Sequence, residues 1–197
     1  MLGKPKKYSG YKSFSYLEAG RDYEEYELVK EIGRVPQYIV EVSKTEEERV
    51  WDILNKSIVI SLHDHSERAP VDLSKYPDYY RQARVATGYE GLAASGIDAM
   101  FDGLQDGSSI ITSKMGWKWE DVVYDLGMRL SDIAHQDFVI RGEKVEDIIR
   151  AHNEGKLALI PHLEGAMPIE NEVDRVDVLY GLGYRCMGLV YNESNAL

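Results

Sequence analysis

The sequence predicts an α/β protein of the (β/α)8 barrel type, with only about the first half of the barrel present. Two observations carry this. From residue 57 onward, β-branched or apolar runs alternate with helical stripes, the pattern of a parallel sheet covered by helices. The polar residues with chemical potential then fall at the C-terminal ends of the strands, where such barrels keep their chemistry. Length sets the extent, because 197 residues hold about four strand–helix units and a closed barrel needs eight.

The elements follow in order. Residues 1–44 are polar, Tyr-rich and broken by Gly10, Gly20, Gly33 and Pro36, and read as an irregular arm with a short strand at 37–42. Thr45 ahead of Glu46, Glu47 and Glu48 predicts an N-cap and a helix to Asn55. Ser57–His65 opens with a β-branched run and predicts a buried parallel strand. Gly96–Gly103 is a second strand. Trp119, Val122, Val123, Leu126, Leu130, Ile133 and Ala134 repeat at helical spacing, so residues 118–135 form a helix. Then come a short strand at Phe138–Ile140, a helix Val145–Asn153 closed by Gly155, and a strand Leu157–Glu164. A helix Val173–Leu182 and a strand Cys186–Tyr191 complete the chain. The expected division is an N-terminal arm, 1–44, and a half barrel, 45–197. No helix follows the last strand, so the chain is expected to be a piece of a longer protein.

Composition removes several classes of function. With 34 acidic and 23 basic side chains the net charge is −11, which disfavours binding to a nucleic-acid backbone. A single cysteine, Cys186, excludes an internal disulfide and a thiolate zinc cage, and its apolar neighbours place it in the core. No run of about 18 apolar residues is present, so no membrane span is expected. The basic stretch Met1–Lys7 lacks the apolar segment of a secretory signal, which predicts a cytoplasmic protein. The 14 tyrosines against 3 phenylalanines suit half-buried surface, where the ring packs and the hydroxyl stays wet.

Two clusters stand out. His63 and His65 lie two residues apart at a strand end, so an extended backbone turns both imidazoles to one face. They read either as a divalent-metal pair or as loop histidines beside Asp64 and Glu67. His162 and Glu164 share a face at the end of another strand, and Gly165 permits a tight turn behind them. A carboxylate there suits a metal bridge or a general base, or else an ion pair at a sheet end. Asp98 and Asp102 flank Met100 on one face of their strand, as polar interior residues or as part of a surface turn. His135 and His152 sit in the last turns of helices, where a cation suits the dipole. Asp106–Ser109 resembles a turn. No Gly-x-Gly-x-x-Gly, Walker loop or Gly-x-Ser-x-Gly is present, which disfavours nucleotide binding and serine hydrolysis.

The stretch Ile160–Glu170, with Glu164-Gly165 at its centre, and the stretch Val178–Asn192, with Leu182-Gly183-Tyr184-Arg185, resemble the membrane (renal) dipeptidase family of zinc metallopeptidases. His63-Asp64-His65 is similar to the His-x-Asp that closes the family's first strand. The resemblance spans roughly residues 57–197. It implies an amidohydrolase-like barrel with two Zn2+ ions in a complete member, hydrolysing the amide bond of dipeptides or similar small amides through a metal-activated water. Carried over by residue, His63 and His65 are metal ligands, and Glu164 is both ligand and catalytic carboxylate. Tyr191 stands where the family has a substrate-contacting His. His65 replaces a family Asp, and the family's second-metal histidines come from later strands than this chain contains. The implied partner is a small peptide or amide, with a homo-oligomer possible. The alternative is a non-catalytic truncated barrel that binds a partner along its open sheet edge.

Overall fold

The apolar run Leu157–Leu163 organises the fold. In the computed structural model, which describes residues 4, 6–36, 38–104 and 118–191, it forms strand β4, and all seven residues are buried. A strand with no solvent on either face must satisfy its backbone within the protein. The even-numbered residues bond to β2 (Ala99–Gly103): Ala158 N–H donates to Asp98 O, and Leu104 N–H to His162 O. The odd-numbered residues face the other edge. Leu157 N–H donates to Phe138 O and Gly142 N–H to Leu159 O, beside β3 (Val139–Arg141). Farther along the same edge, Arg185 N–H donates to Pro161 O and Gly188 N–H to Leu163 O, beside β5 (Cys186–Met187). Two short strands therefore share one edge of β4. Pro161 lies at the handover, where its missing N–H removes no ladder bond.

β1 (Ile60–Asp64) pairs with the outer edge of β2, and all five strands are parallel. Among the described residues the α-helices are α1 (Lys44–Lys56), α2 (Tyr76–Arg81), α3 (Tyr89–Ser95), α4 (Trp119–Ile133), α5 (Val145–Glu154) and α6 (Arg175–Leu182). Met100, Val139, Leu157 and Leu159 pack under Tyr89, Leu92 and Ile133 of α3 and α4. Leu163 continues that face toward Leu126 of α4 and Leu179 of α6. The alternate residues Ala99, Ala158 and Ile160 face Ile148 and Ala151 of α5 on the opposite side. The expected α/β class and parallel sheet are present; five strands are described, and they do not close into an eight-stranded barrel.

Several local expectations change. α1 starts earlier than expected, capped by Ser43 instead of Thr45. Ser43 Oγ accepts from Glu46 N–H while Glu46 Oε2 accepts from Ser43 N–H, a reciprocal capping box. Residues 38–42 form no strand, and residue 37 lies outside the described residues. β1 is an edge strand, not a buried one: Leu62 is 75% exposed. Cys186 is exposed and not in the core, at the start of a strand only two residues long. Asp106–Ser109 lies outside the described residues. Among the described residues no helix is long and apolar enough to cross a membrane.

The N-terminal arm is tied down by buried polar bonds. Asp98, with its side chain fully buried, takes ion pairs from Lys4 and Lys6, the Val59 N–H at 2.9 Å and a contact from His152 Nδ1 at 3.1 Å. Asp132 of α4 accepts from Tyr11 Oη at 2.7 Å, the Phe14 N–H at 2.9 Å and Tyr89 Oη at 2.9 Å, so one carboxylate joins the arm, α3 and α4. Tyr8 packs on Phe138 and Tyr11 on Tyr89. His135, two residues beyond the end of α4, bonds to Ser131 O and stacks on Tyr16, a structural role.

Burial opposes ionisation of Asp98, but Lys4, the Val59 N–H and Lys6 outweigh it and hold the carboxyl below its ordinary pKa. Its stabilising contribution is therefore complete above about pH 4 and is lost as the pH falls through the depressed value. Asp98→Ala leaves two buried ammonium groups without a counter-charge. The expected cost is about 3–5 kcal/mol, measured by urea unfolding, with faster proteolysis of the arm.

Candidate metal centre

The C-terminal ends of β1, β2 and β4 converge. β1 delivers His63, and its pairing with β2 becomes irregular between Ser61 and Asp64. Beyond it, two carboxylates shape the turn. Asp64 Oδ1 accepts from the His65 N–H at 2.9 Å. Asp102 of β2 accepts from both the Ser66 N–H at 2.9 Å and Ser66 Oγ at 3.0 Å. His65 is thus held between two anchored neighbours, and its ring meets that of His63 edge-on at 4.9 Å.

Asp102 itself is fully buried under α4. Burial pushes its carboxyl upward, while the Arg129 guanidinium and the Ser66 donors pull it back. Arg129 Nε lies 3.9 Å from Asp102 Oδ2, and the guanidinium also bonds to Thr87 Oγ1. Desolvation works against the Arg129 charge, but Asp102 and Asp125 more than compensate, so it stays charged. Asp98 and Asp102, expected either as polar interior residues or in a surface turn, are both buried. The two acids lie at opposite ends of β2, where one anchors the arm and the other the histidine turn; neither belongs to a surface turn.

Glu164 follows β4 directly. Its Oε1 lies 2.8 Å from His63 Nε2 and 3.5 Å from His65 Nε2. One donor atom from each of His63, His65 and Glu164 falls within 4.8 Å of the others. Ligands at about 2.1 Å around a tetrahedral ion stand about 3.4 Å apart, so this spacing suits a shared cation. Two imidazoles and one carboxylate are also a donor set that binds zinc. A neutral imidazole lone pair facing a carboxylate oxygen at 2.8 Å requires a proton or a cation between them, and the group fits either.

His162 lies behind this trio, 6% exposed, with Nε2 at 2.8 Å from His63 Nδ1. Burial lowers its pKa, and the neighbouring His63 lowers it further, so it stays neutral at pH 7. The sequence pairs His162 with Glu164 by alternation, but its bond to His63 depends on strand order and is invisible there. The anchoring of Ser66 by Asp102 is hidden for the same reason. Tyr191 is exposed beyond the end of β5. Asn192 and the rest of the C-terminal motif lie outside the described residues.

Gly188 seats the carboxylate. A Cβ there would stand 2.1 Å from the Glu164 backbone oxygen, too close for any side chain. Gly188→Ala is therefore expected to cost about 1–3 kcal/mol in thermal or urea unfolding. It should also shift the His63 and His65 imidazole signals in NMR spectra, because the chain at Glu164 must move.

Residues 117–197 match the family described as membrane dipeptidase, peptidase family M19. No curated protein matches the chain. Among solved structures, the chain is similar to an amidohydrolase from Pseudomonas aeruginosa, with 19% identity and a TM-score of 0.49 over 74% of this chain and 37% of that one. The chain thus corresponds to 37% of the length of that structure. The family match includes β4, Glu164 and the Gly188 seat and excludes His63 and His65. Over residues 117–197, then, this chain is similar to the membrane dipeptidase family.

Proposed function

We propose that this chain is the metal-binding portion of a zinc-dependent hydrolase that cleaves the amide bond of dipeptides or similar small amides. One observation carries the reading: His63 and His65 from one strand end converge with Glu164 from another, inside 4.8 Å. The membrane dipeptidase match over the segment that contains Glu164 supports the same reaction class. In this reading residues 45–197 form the catalytic half barrel, and 1–44 the arm that braces it.

His63, His65 and Glu164 would hold the ion. A bound divalent ion supplies an activated water and polarises the scissile carbonyl. His65 in place of a carboxylate leaves the ligand set one negative charge short, so the loaded site is more positive and favours anionic or strongly polar substrate groups. Glu164 would also serve as the carboxylate that accepts a proton during attack. Tyr191 offers a phenol as a hydrogen-bond donor to the substrate. The exposed edge of β1, with Ile60 and Leu62 uncovered, favours a second reading as an interaction module.

Titration of zinc against a competing chelator tests the first reading. One ion should bind per chain, and His63→Ala, His65→Ala and Glu164→Gln should each weaken binding by more than about 100-fold. Dipeptide hydrolysis by the full-length protein should disappear with Glu164→Gln. Zinc affinity unchanged by all three substitutions would remove the site. In that case a dimer in sedimentation that dissociates on Leu62→Lys would favour the interaction module.

A further inference from the structure

We infer that His162 is a positioning residue that makes His63 competent to bind metal; the inference rests on the metal reading above and goes beyond it. His63 is contacted through both ring nitrogens. Nε2 points at Glu164 Oε1 at 2.8 Å, and Nδ1 at His162 Nε2 at 2.8 Å. A neutral imidazole carries one N–H and one lone pair. If the Nε2 lone pair is to meet a cation beside Glu164, the proton must sit on Nδ1, and Nδ1–H needs an acceptor. His162 Nε2 is that acceptor. The other ring nitrogen of His162 then carries its proton.

The opposite arrangement blocks the site. If His162 donated from Nε2, His63 would accept at Nδ1 and carry its proton on Nε2, aimed at Glu164. No lone pair would then face the position between them. The tautomer of one buried ring therefore decides which way a half-exposed ligand presents itself. Burial suits His162 to this task, since its ring is 6% exposed while the His63 side chain is 49% exposed. His162 is not a member of the group whose donor atoms lie within 4.8 Å of one another, so its place is behind the ligand. His65 has a weaker counterpart: its Nδ1 lies 3.4 Å from Gly103 O, and Gly103 is the ladder partner of His162. Both ligand imidazoles are thus oriented from the paired ends of β2 and β4.

The test compares His162→Gln, which retains an acceptor, with His162→Leu, which removes it, in the full chain titrated with zinc against a chelator. The leucine variant should bind zinc about 10–100-fold more weakly, the usual effect of losing such a partner. The glutamine variant should stay within about threefold of the original. Long-range 1H–15N spectra of the zinc-loaded protein should show His63 protonated at Nδ1, and this reading needs no variant to fold. Equal affinities for all three proteins, or His63 protonated at Nε2 in the loaded protein, would overturn the role of His162 and leave the metal site intact. Failure of the unsubstituted chain to bind zinc would overturn the metal reading, and this inference with it.

Discussion

Both edges of β4 must be hydrogen-bonded, and the rest of the molecule is arranged around that requirement. Seven consecutive buried residues leave no backbone group within reach of water, so β2 must lie along one edge and other strands along the second. Neither β3 nor β5 is long enough to cover that second edge alone. They divide it, and Pro161 falls where neither needs an N–H from β4. The division ends the β4–β5 ladder at Leu163 and brings Gly188 against Glu164, which sets the backbone from which the carboxylate projects.

The same pairing explains how the acidic and imidazole groups are shared out. β2 carries one fully buried carboxylate at each end, and each is satisfied by a different part of the chain. At the N-terminal end, Asp98 accepts two lysines from the arm, so the most polar segment of the sequence becomes structural. At the C-terminal end, Asp102 is opposed by Arg129 and holds Ser66. Buried ion pairs of this kind add little net stability over an apolar core, but losing one partner is costly. Their effect here is positional: one fastens the arm beneath the sheet, and the other fixes the turn that presents His65.

Two imidazoles and one carboxylate set the electrostatics of the proposed site. The trio carries one formal negative charge, so a divalent ion bound there would be incompletely neutralised by these side chains. His162 compensates in geometry without adding charge, because it is neutral and acts from behind. A third imidazole close to His63 would oppose a cation if it were protonated, and burial keeps it neutral. The buried position of His162 is thus physically consistent with a cation at the proposed site.

Much of the fold was legible in the sequence because its signals are local. The apolar run Leu157–Leu163, the stripe from Trp119 to Ile133 and the glycines after α5 and α6 each report on neighbours within a few residues, and the structure places elements there with shifts of one or two positions. A local signal also misled at the start of α1, where the sequence pointed to Thr45. Ser43 and Thr45 each stand three residues before a glutamate, and Ser43 closes the reciprocal pair. The exposure of β1 and Cys186 could not be read, since burial depends on what covers a strand and not on its own composition. In the site, the sequence by itself determined that His63 and His65 share a strand end and that His162 and Glu164 share another. Only the tertiary structure decided that these ends meet, that Asp102 anchors the turn between them, and that His162 faces His63. Alternation sets which face a side chain takes, whereas strand order sets which residue it meets.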